Sequence, residues 1–518
     1  MDLSRLLPIL VAVPLGVGFV MPLLDKLRRT RLLDAVALAA SLVLLGLSLS
    51  LFRAGPGASI YWAGNWGPAS PALGICLVAD GLSRLLLVVV NVVAFLVLLF
   101  SGDYMSRYTS RGLYYSLFFL MLAGMNGVVL TGDLFNLYVF IEVASIASYA
   151  LVAFGCETEE LEASFKYLVL GSLSSTIIVF GVAILYGVTG TLNMAQVAQV
   201  LAAKSSMPPA ALLGLGFFLS GFALKAAMVP FHAWLPDAHP SAPAPISAML
   251  SGVLIKAIGV YVLFRLVFNV FGPTVDIAHV LMALGAISMV VGVFLAVGQW
   301  DFKRLLAYHS ISQMGYVMLA VGVGAEVIAN KGPSSVANLA IFGGLFHMVN
   351  HATFKSLLFL TSGAIEYATG TRQLKELGGL AGRMPVTSLC TRVASLSIAG
   401  VPPFNGFWSK LIIVIAVVQS GHWILAALTV LVSFMTLLSF VKVQRYALAG
   451  KTSERTVSAK EVPACMTVPM VVLAVLCVVL GVGVCFYTPA RRVIFDSAQN
   501  AMTQGTDYYK GFDLPELK

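Results

Sequence analysis

The sequence predicts an all-α polytopic membrane protein of about 14 transmembrane helices, arranged as two inverted five-helix repeats with broken helices. Three observations carry that expectation. Hydrophobic residues make up 59% of the 518 and charged residues only 11%, with mean hydropathy +0.93, far from the roughly quarter-charged makeup of soluble domains. Apolar windows near the ~20 residues that cross a bilayer follow one another along the chain. Two of those windows carry helix breakers at mid-sequence.

The windows fall near residues 5–24, 33–52, 80–101, 112–131, 134–155, 163–188, 210–229, 244–270, 277–297, 304–323, 339–365, 386–418, 422–444 and 467–488. Connections between them are too short for an independent domain, so residues 1–518 read as a single membrane domain. The run from Leu6 to Leu24 lacks a strong basic n-region and a small-residue cleavage site, so it reads as the first span.

The formal charge of +9 would suggest nucleic acid in a soluble chain. Here it follows the positive-inside rule, and no nucleic-acid partner is expected. Lys26, Arg28, Arg29 and Arg31, Arg107 and Arg111, Lys303 and Arg304, Arg372, Lys375 and Arg383, and Arg445, Lys451, Arg455 and Lys460 all follow odd-numbered spans. The opposite loops hold only Arg53, Lys204 and Lys331, which places both termini on the outer side of the cell (inner) membrane; Arg491 and Arg492 run against this. The six cysteines, Cys76, Cys156, Cys390, Cys465, Cys477 and Cys485, stand singly without CxxC spacing. That argues against iron–sulfur or zinc ligation in this chain.

The breakers are Met228-Val229-Pro230 in the seventh window and Gly400-Val401-Pro402-Pro403 in the twelfth, where proline removes a donor and clashes with the preceding turn. Their separation by five spans suits a first repeat over 112–270 and a second over 277–444. Because five is odd, the two have opposite topology, with 5–101 and 467–488 flanking. Unrelated kinks would give the same spacing.

An ionisable group at bilayer centre costs about 2.5–3.5 kcal/mol on insertion scales, so each marks a functional position by default. Glu142 lies roughly 12 Å into the fifth span at 1.5 Å per residue. Lys225 precedes the first break, Lys256 sits deep in the eighth span, and Lys410 follows the second break. His347, His351 and Lys355 recur at i, i+4 and i+8, which stacks them on one helix face. Burial disfavours a lysine's charged form and a nearby carboxylate restores it, so a Glu142–Lys225 pair that opens and closes switches a proton. Histidine titrates in the same range unaided. Plainer readings stand beside these: a static Glu142–Lys225 pair, a satisfied core His347, and a Lys410 that reaches toward a wet break. Arg265 and Lys442 read as snorkelling anchors, and Lys166 as the partner of Glu162. The acidic run from Glu157 to Glu162 suits a helix N-terminus. Residues 231–245 read as too proline-rich to be regular, with His232, Asp237 and His239 a proton mouth before a metal site.

Through GDLFNLYVFIEVASIASYAL, KAAMVPFHAWLPDAHPSAPAPISAMLSG, DFKRLLAYHSISQMGY, FHMVNHATFKSLLFLTSGAI and PPFNGFWSK, residues 75–450 resemble a known family. It comprises the antiporter-like subunits of respiratory complex I, of Mrp-type multisubunit sodium/proton antiporters, and of membrane-bound hydrogenases or formate hydrogenlyases; within it the likeness is close to the D-type branch of the Mrp antiporters. The resemblance implies 14 spans with inverted repeats and translocation of protons, or of sodium against protons, inside a larger complex. By matching motif it makes Glu142 and Lys225 the family's ion pair, Lys256 the bridging lysine, His347, His351 and Lys355 the central relay, and Lys410 the terminal lysine. It implies no cofactor in this chain, with iron–sulfur or other metal groups left to partner subunits. Expected partners are other antiporter-like and small membrane subunits, a peripheral hydrogenase or a ferredoxin- or NADH-oxidising arm, protons or sodium, and lipid. The alternatives are a self-sufficient solute transporter, which would show a single substrate cavity in place of a row of titratable groups, and a quinone-binding redox subunit, which would need a lipid-accessible pocket with polar head-group ligands that the sequence does not identify.

Overall fold

The computed structural model describes residues 3–27, 30–53, 57–67, 74–108 and 110–503, together with Lys510 and Phe512. Arg28 and Arg29 of the first basic loop lie outside the described residues, as do both chain ends. The architecture is almost wholly helical. In the first half run α1 (Ile9–Asp25), α2 (Thr30–Phe52), α3 (Gly81–Tyr104), α4 (Arg111–Leu130), α5 (Leu134–Val152), α6 (Thr158–Thr189), α7 (Met194–Ala202) and α8 (Pro209–Lys225). Then come α9 (Leu235–Ser241), α10 (Ala244–Val270), α11 (Val275–Val297), α12 (Phe302–Ala329) and α13 (Ser334–Thr369). Last are α14 (Pro385–Ala399), α15 (Asn405–Gln419), α16 (Trp423–Val443) and α17 (Ala464–Phe486).

Among the described residues, 11 helices are long and apolar enough to cross a membrane: α1 to α6, α10, α11, α12, α16 and α17. The shorter α8 and α15 are also apolar. The 36-residue α13 holds the histidine ladder. One departure from all-α is a hairpin of β1 (Ser59–Trp62) and β2 (Cys76–Ala79), antiparallel with Ser59 opposite Ala79 and Trp62 opposite Cys76.

Capping sets the helix ends. Asp80, Asp133 and Asp301 accept from the backbone of Ser83, Asn136 and Arg304 at 3.0, 2.7 and 2.9 Å, each satisfying an N–H the helix leaves free. Glu157 and Glu160 form a reciprocal capping box on α6, as the acidic run predicted. The last turns of α6 and α13 close alike. Gly190 and Gly370 take positive φ of 70° and 72°, the left-handed C′ conformation glycine adopts at no steric cost. Thr189 and Thr369 then each donate to the carbonyl two residues on, at 3.1 Å. Beyond, Leu134 donates to Leu192 O at 2.9 Å and Phe302 to Arg372 O at 3.0 Å, while Asp133 bridges Asn193 and Asp301 bridges Gln373. The same clasp therefore ties α5 to the end of α6 and α12 to the end of α13.

Both expected breaks are present. The chain leaves helical geometry between α8 and α9, and again from Gly400 (φ 80°) to Phe404, dividing the twelfth window into α14 and α15. The proline-rich segment after the first break is more regular than expected, forming α9 and the start of α10. The physical reason is that Pro236 and Pro245 occupy the first turns of those helices, where the missing N–H has no helical partner to lose.

At the centre, α10 has its whole apolar window buried inside the chain, as expected of a helix apolar on every side. It packs on α3, α8 and α13. Arg265 on α10 corrects a second expectation: instead of snorkelling, it is buried and makes a two-pronged pair with Asp80 at 2.6 and 2.8 Å, joined by Asn269 at 3.0 Å and Tyr261 at 3.1 Å. The Asp80 cap supplies a carboxylate deep enough to hold it. Lys303, counted above with the loop charges, is also buried, because α12 begins earlier than the apolar window implied.

Removing one member of a buried pair costs about 3–5 kcal/mol, whereas replacing both with apolar residues is often near neutral. Arg265→Leu is therefore expected to lower the thermal midpoint of the purified protein sharply, and the double substitution Asp80→Leu/Arg265→Leu to recover most of it. Equal losses in single and double variants would show that the pair does not join α3 to α10.

Candidate functional site

On α5, Glu142, Ser145 and Tyr149 share one face by their i, i+3, i+7 spacing, and Lys225 closes α8 opposite them. Lys225 is 2% exposed and Glu142 25%. The ammonium donates to Ser145 Oγ at 2.9 Å and Tyr149 OH at 3.5 Å, while Glu142 Oε1 stands 4.0 Å away. Glu142 accepts a short hydrogen bond from the Ser175 hydroxyl of α6. The pair is thus brought together, yet Lys225 leans on neutral hydroxyls and the carboxylate on another, so each partner is also held by a hydrogen bond outside the pair.

Lys256 is fully buried on α10 and donates to Ser251 O at 2.5 Å. That carbonyl is within reach because π-helical turns over Leu250–Leu254 and Lys256–Val260 replace the regular α-helical pattern. The end of α8 closes directly on this region: a Cβ on Gly259 would lie 2.9 Å from Ala226. None of the described hydrogen bonds joins Lys225 to Lys256.

The ladder on α13 is fully buried. His347 Nδ1 shares a hydrogen bond with Ser409 Oγ of α15 at 2.9 Å, and its Nε2 has no partner; His351 has none at either nitrogen among the described residues. Lys355 donates to Leu306 O of α12, with its ammonium 5.6 Å from the Phe359 ring. Ser409, the partner of His347, directly precedes Lys410 on α15, so Lys410 stands near the His347 end of the ladder.

Lys410 on α15 donates to Ile398 O at 2.8 Å and Ser433 Oγ at 3.3 Å. The helix break exposes that carbonyl, since α14 ends at Ala399 and leaves its last carbonyls without helical donors. Tyr316 of α12 stands between neighbours, its ring 5.5 Å from that of His347 and 4.9 Å from Lys410 Nζ.

Two groups near this file, His309 and Tyr316, were not expected from the sequence, and a third, His239, was read there only as part of a proton mouth. His309 of α12 is buried, with Nε2 at 2.8 Å from Ser439 Oγ. Tyr316 follows it at i+7 on the same face. His239 is buried with neither nitrogen partnered. The signal for His309 and Tyr316 was an i, i+7 pair of polar rings in the tenth window. His232, Asp237 and His239 do not converge: Asp237 pairs outward with Lys166 at 3.0 Å and Arg304 at 3.4 Å, while His239 packs inward on Phe359. Lys166 also holds Glu162 at 2.7 Å, as expected. Lys442, read as an anchor, caps the end of α11 through Val297 O at 2.7 Å and Gln299 O at 2.5 Å. Among the described residues, no three His, Cys, Asp or Glu side chains are placed to hold a metal ion.

Fold and site together define a polytopic membrane protein with a buried file of ionisable groups between two broken helices. Residues 131–436 match the family model described as NADH:quinone oxidoreductase/Mrp antiporter, TM, and residues 68–119 match NADH-Ubiquinone oxidoreductase (complex I), chain 5 N-terminus. The chain belongs to the NADH:quinone oxidoreductase/Mrp antiporter membrane family. NADH-quinone oxidoreductase subunit N of Desulforudis audaxviator is 36% identical over 92% of this chain and 95% of that protein. The D-type subunit of the Na(+)/H(+) antiporter of Alkalihalophilus pseudofirmus is 33% identical over 92% and 93%. A chain in the structure of the Mrp complex from Dietzia superposes with TM-score 0.89 at 28% identity, covering 99% of this chain and 100% of that one.

The closeness of α14 and α15 at the second break is itself testable. A Cβ on Gly406 would lie 1.8 Å from Ser397 O, so Gly406→Ala must part the two helix ends, and overpacking of this kind costs about 1–3 kcal/mol. Ser409→Ala removes only a neutral hydrogen bond, worth about 0.5–1.5 kcal/mol. Thermal melts of the purified protein should rank Gly406→Ala as the more damaging; the reverse order would mean that the break yields freely.

Proposed function

We propose that this chain is a proton-translocating membrane subunit of a multisubunit energy-transducing complex, moving protons along the file Glu142, Lys225, Lys256, His351, Lys355, His347 and Lys410. The observation that carries the reading is the way the buried lysines are held. Lys225, Lys256, Lys355 and Lys410 donate to neutral hydroxyls or carbonyls, and Glu142, 4.0 Å from Lys225, is the one carboxylate paired with any of them among the described residues. An ammonium held by neutral acceptors gives up its proton more readily than one locked to a carboxylate. The unpartnered nitrogens of His347 and His351 between them are open to take one.

File members bearing nitrogen suit protons, whereas sodium wants several oxygen ligands; any sodium exchanged for the proton binds elsewhere in the complex. Relatives named as subunits of quinone oxidoreductases and Na(+)/H(+) antiporters, and a structural neighbour inside an Mrp complex, support membrane partner subunits. The same reading takes α8 with its break, α13, and α14 with α15 as three further spans, to about 14, in a cell membrane with both termini outside. Two inverted repeats, 112–270 and 277–444, are supported by the paired breaks and by the matching clasps at Thr189-Gly190-Thr191 and Thr369-Gly370-Thr371. In this topology those clasps fall on opposite faces.

Proton flux in membrane vesicles, normalised to assembled complex, tests the file. Glu142→Gln keeps shape but not charge and is expected to abolish most of the flux while the complex still assembles. Lys225→Met is expected to do the same, and the double variant to be no worse than either alone, because both act through one switch. Normal flux in the Gln variant rejects the gate, lost assembly points to a static pair, and additive losses assign the two residues to separate steps.

A further inference from the structure

A cavity of about 550 Å³ opens between the end of α3, the start of α4 and the end of α5. Leu113 and Leu117, one turn apart on α4, line it on one side, and Ala150, Ala153 and Phe154 line it from the end of α5. From Arg111, where α4 starts, to Leu117 the rise is about 9 Å, so an apolar slot runs from the helix ends toward the membrane interior. Leu113 is 52% exposed, which leaves the slot open along its side. Tyr108 and Phe154 also line it, with ring centroids 5.8 Å apart, as aromatic side chains do at the level of lipid headgroups.

Arg107 stands at the mouth and is exposed, with Ser110 beside it on the rim. Among the described residues its one hydrogen bond goes to Tyr367 O at the end of α13, and its guanidinium lies 4.0 Å over the Tyr367 ring. A guanidinium carries five N–H donors in a planar fork, so most of the fork stays available. No carboxylate pairs with Arg107 among the described residues, whereas Arg111, in the same loop, is held by Asp34 at 3.1 Å. None of the residues lining the cavity is acidic. Glu160 lies behind Gly155, but its carboxylate is engaged by the Glu157 amide at 3.3 Å in the capping box of α6. A second cavity, of about 510 Å³ against α9, is the opposite case: its Lys166, Arg304 and Arg372 are already matched by Glu162, Asp237 and Asp301 in the same wall.

We propose that the cavity beside Arg107 is a phospholipid site, in which the guanidinium takes the phosphate and one acyl chain lies in the slot along Leu113 and Leu117. The inference goes beyond the proton-translocating reading and does not depend on it. Charge selects the occupant. A partner's apolar helix would cover the slot and leave the guanidinium without a counter-ion, whereas a phospholipid brings phosphate and chain in the order the cavity presents them, from the helix ends inward. The planar fork matches two phosphate oxygens at once. Basic pockets at helix ends on the cytoplasmic side hold lipid headgroups, and in the topology proposed above Arg107 is on that side. Because Arg107 also holds the last turn of α13 through Tyr367 O, a bound phosphate joins the lipid to the helix that carries His347, His351 and Lys355.

The test reconstitutes the assembled complex with phosphatidylglycerol carrying a photoreactive diazirine on one acyl chain, irradiates it, and maps the cross-linked peptides by mass spectrometry. Labelling is expected on the segments that hold Leu113, Leu117 and Ala150. Arg107→Gln should lower it about tenfold, which is about 1.4 kcal/mol, and Arg107→Lys, which keeps the charge, should label better than the Gln variant. Leu117→Trp fills the slot with Arg107 intact and should lower labelling as well. A diacylglycerol with the same photoreactive chain and no phosphate should label weakly, and equally in the unaltered protein and in Arg107→Gln. Equal labelling of the unaltered protein by the two lipids, or by phosphatidylglycerol with and without Arg107, would mean ordinary contact with bulk lipid and overturn the site. No labelling at these positions in the assembled complex would give the surface to a partner subunit and overturn it equally. The comparison of the two lipids on the unaltered protein decides the matter even where Arg107→Gln does not assemble.

Discussion

An ammonium group buried in an apolar bundle needs an acceptor, and this fold supplies one by interrupting its helices. A regular helix commits each carbonyl to the amide four residues on, leaving free only those of its last turn. Lys410 takes Ile398 O where α14 stops, Lys303 and Arg372 take carbonyls where α9 stops, and Lys442 takes two where α11 stops. Lys256 takes Ser251 O where α10 widens into π-turns. The negative end of each helix also favours a cation electrostatically. Breaks, π-turns and helix ends therefore supply acceptors for several of these cations, whereas Lys225 leans on hydroxyls and Lys355 on Leu306 O within α12.

This arrangement explains why the structure keeps its firm ion pairs away from the file. Arg265 with Asp80 and Arg111 with Asp34 are closely bonded and join helices. Glu142 and Lys225, at the limiting distance of 4.0 Å, are not closely bonded. The pairs that join helices and the pair proposed to switch differ in geometry as well as position.

Most of this was legible before the structure. Spans are written in hydropathy, and Glu142, Lys225, Lys256, the 347/351/355 ladder and Lys410 stand out because charge in apolar surroundings is conspicuous. What escaped were residues whose environment is tertiary. Arg265 lies near a span end, where snorkelling is the usual outcome, and only the fold brings Asp80 to it. Lys303 sits beside a truly exposed Arg304 and looks like its neighbour. His309 and Tyr316 carry no formal charge at neutral pH and blend into a span already rich in serine and glutamine. The regularity of α9 and α10 was hidden by counting prolines without asking which turn each would occupy. The clasps were visible as TGTLN and TGTRQ, short strings that gain meaning only when both are seen to close the same way.

The complete enclosure of α10 bears on how the chain is made. Its apolar window is wholly enclosed by the rest of the chain, so its apolar character does no solvation work in the finished structure. The side chains touching α13 cannot do so until α13 has been synthesised, well after α10 has left the ribosome. Until then α10 must lodge in the bilayer on its own partitioning, with Lys256 and Arg265 aboard. Its surplus of Val, Leu and Ile is what an insertion machinery reads, and the packing that replaces lipid arrives afterwards, so biogenesis and final fold place separate demands on one helix.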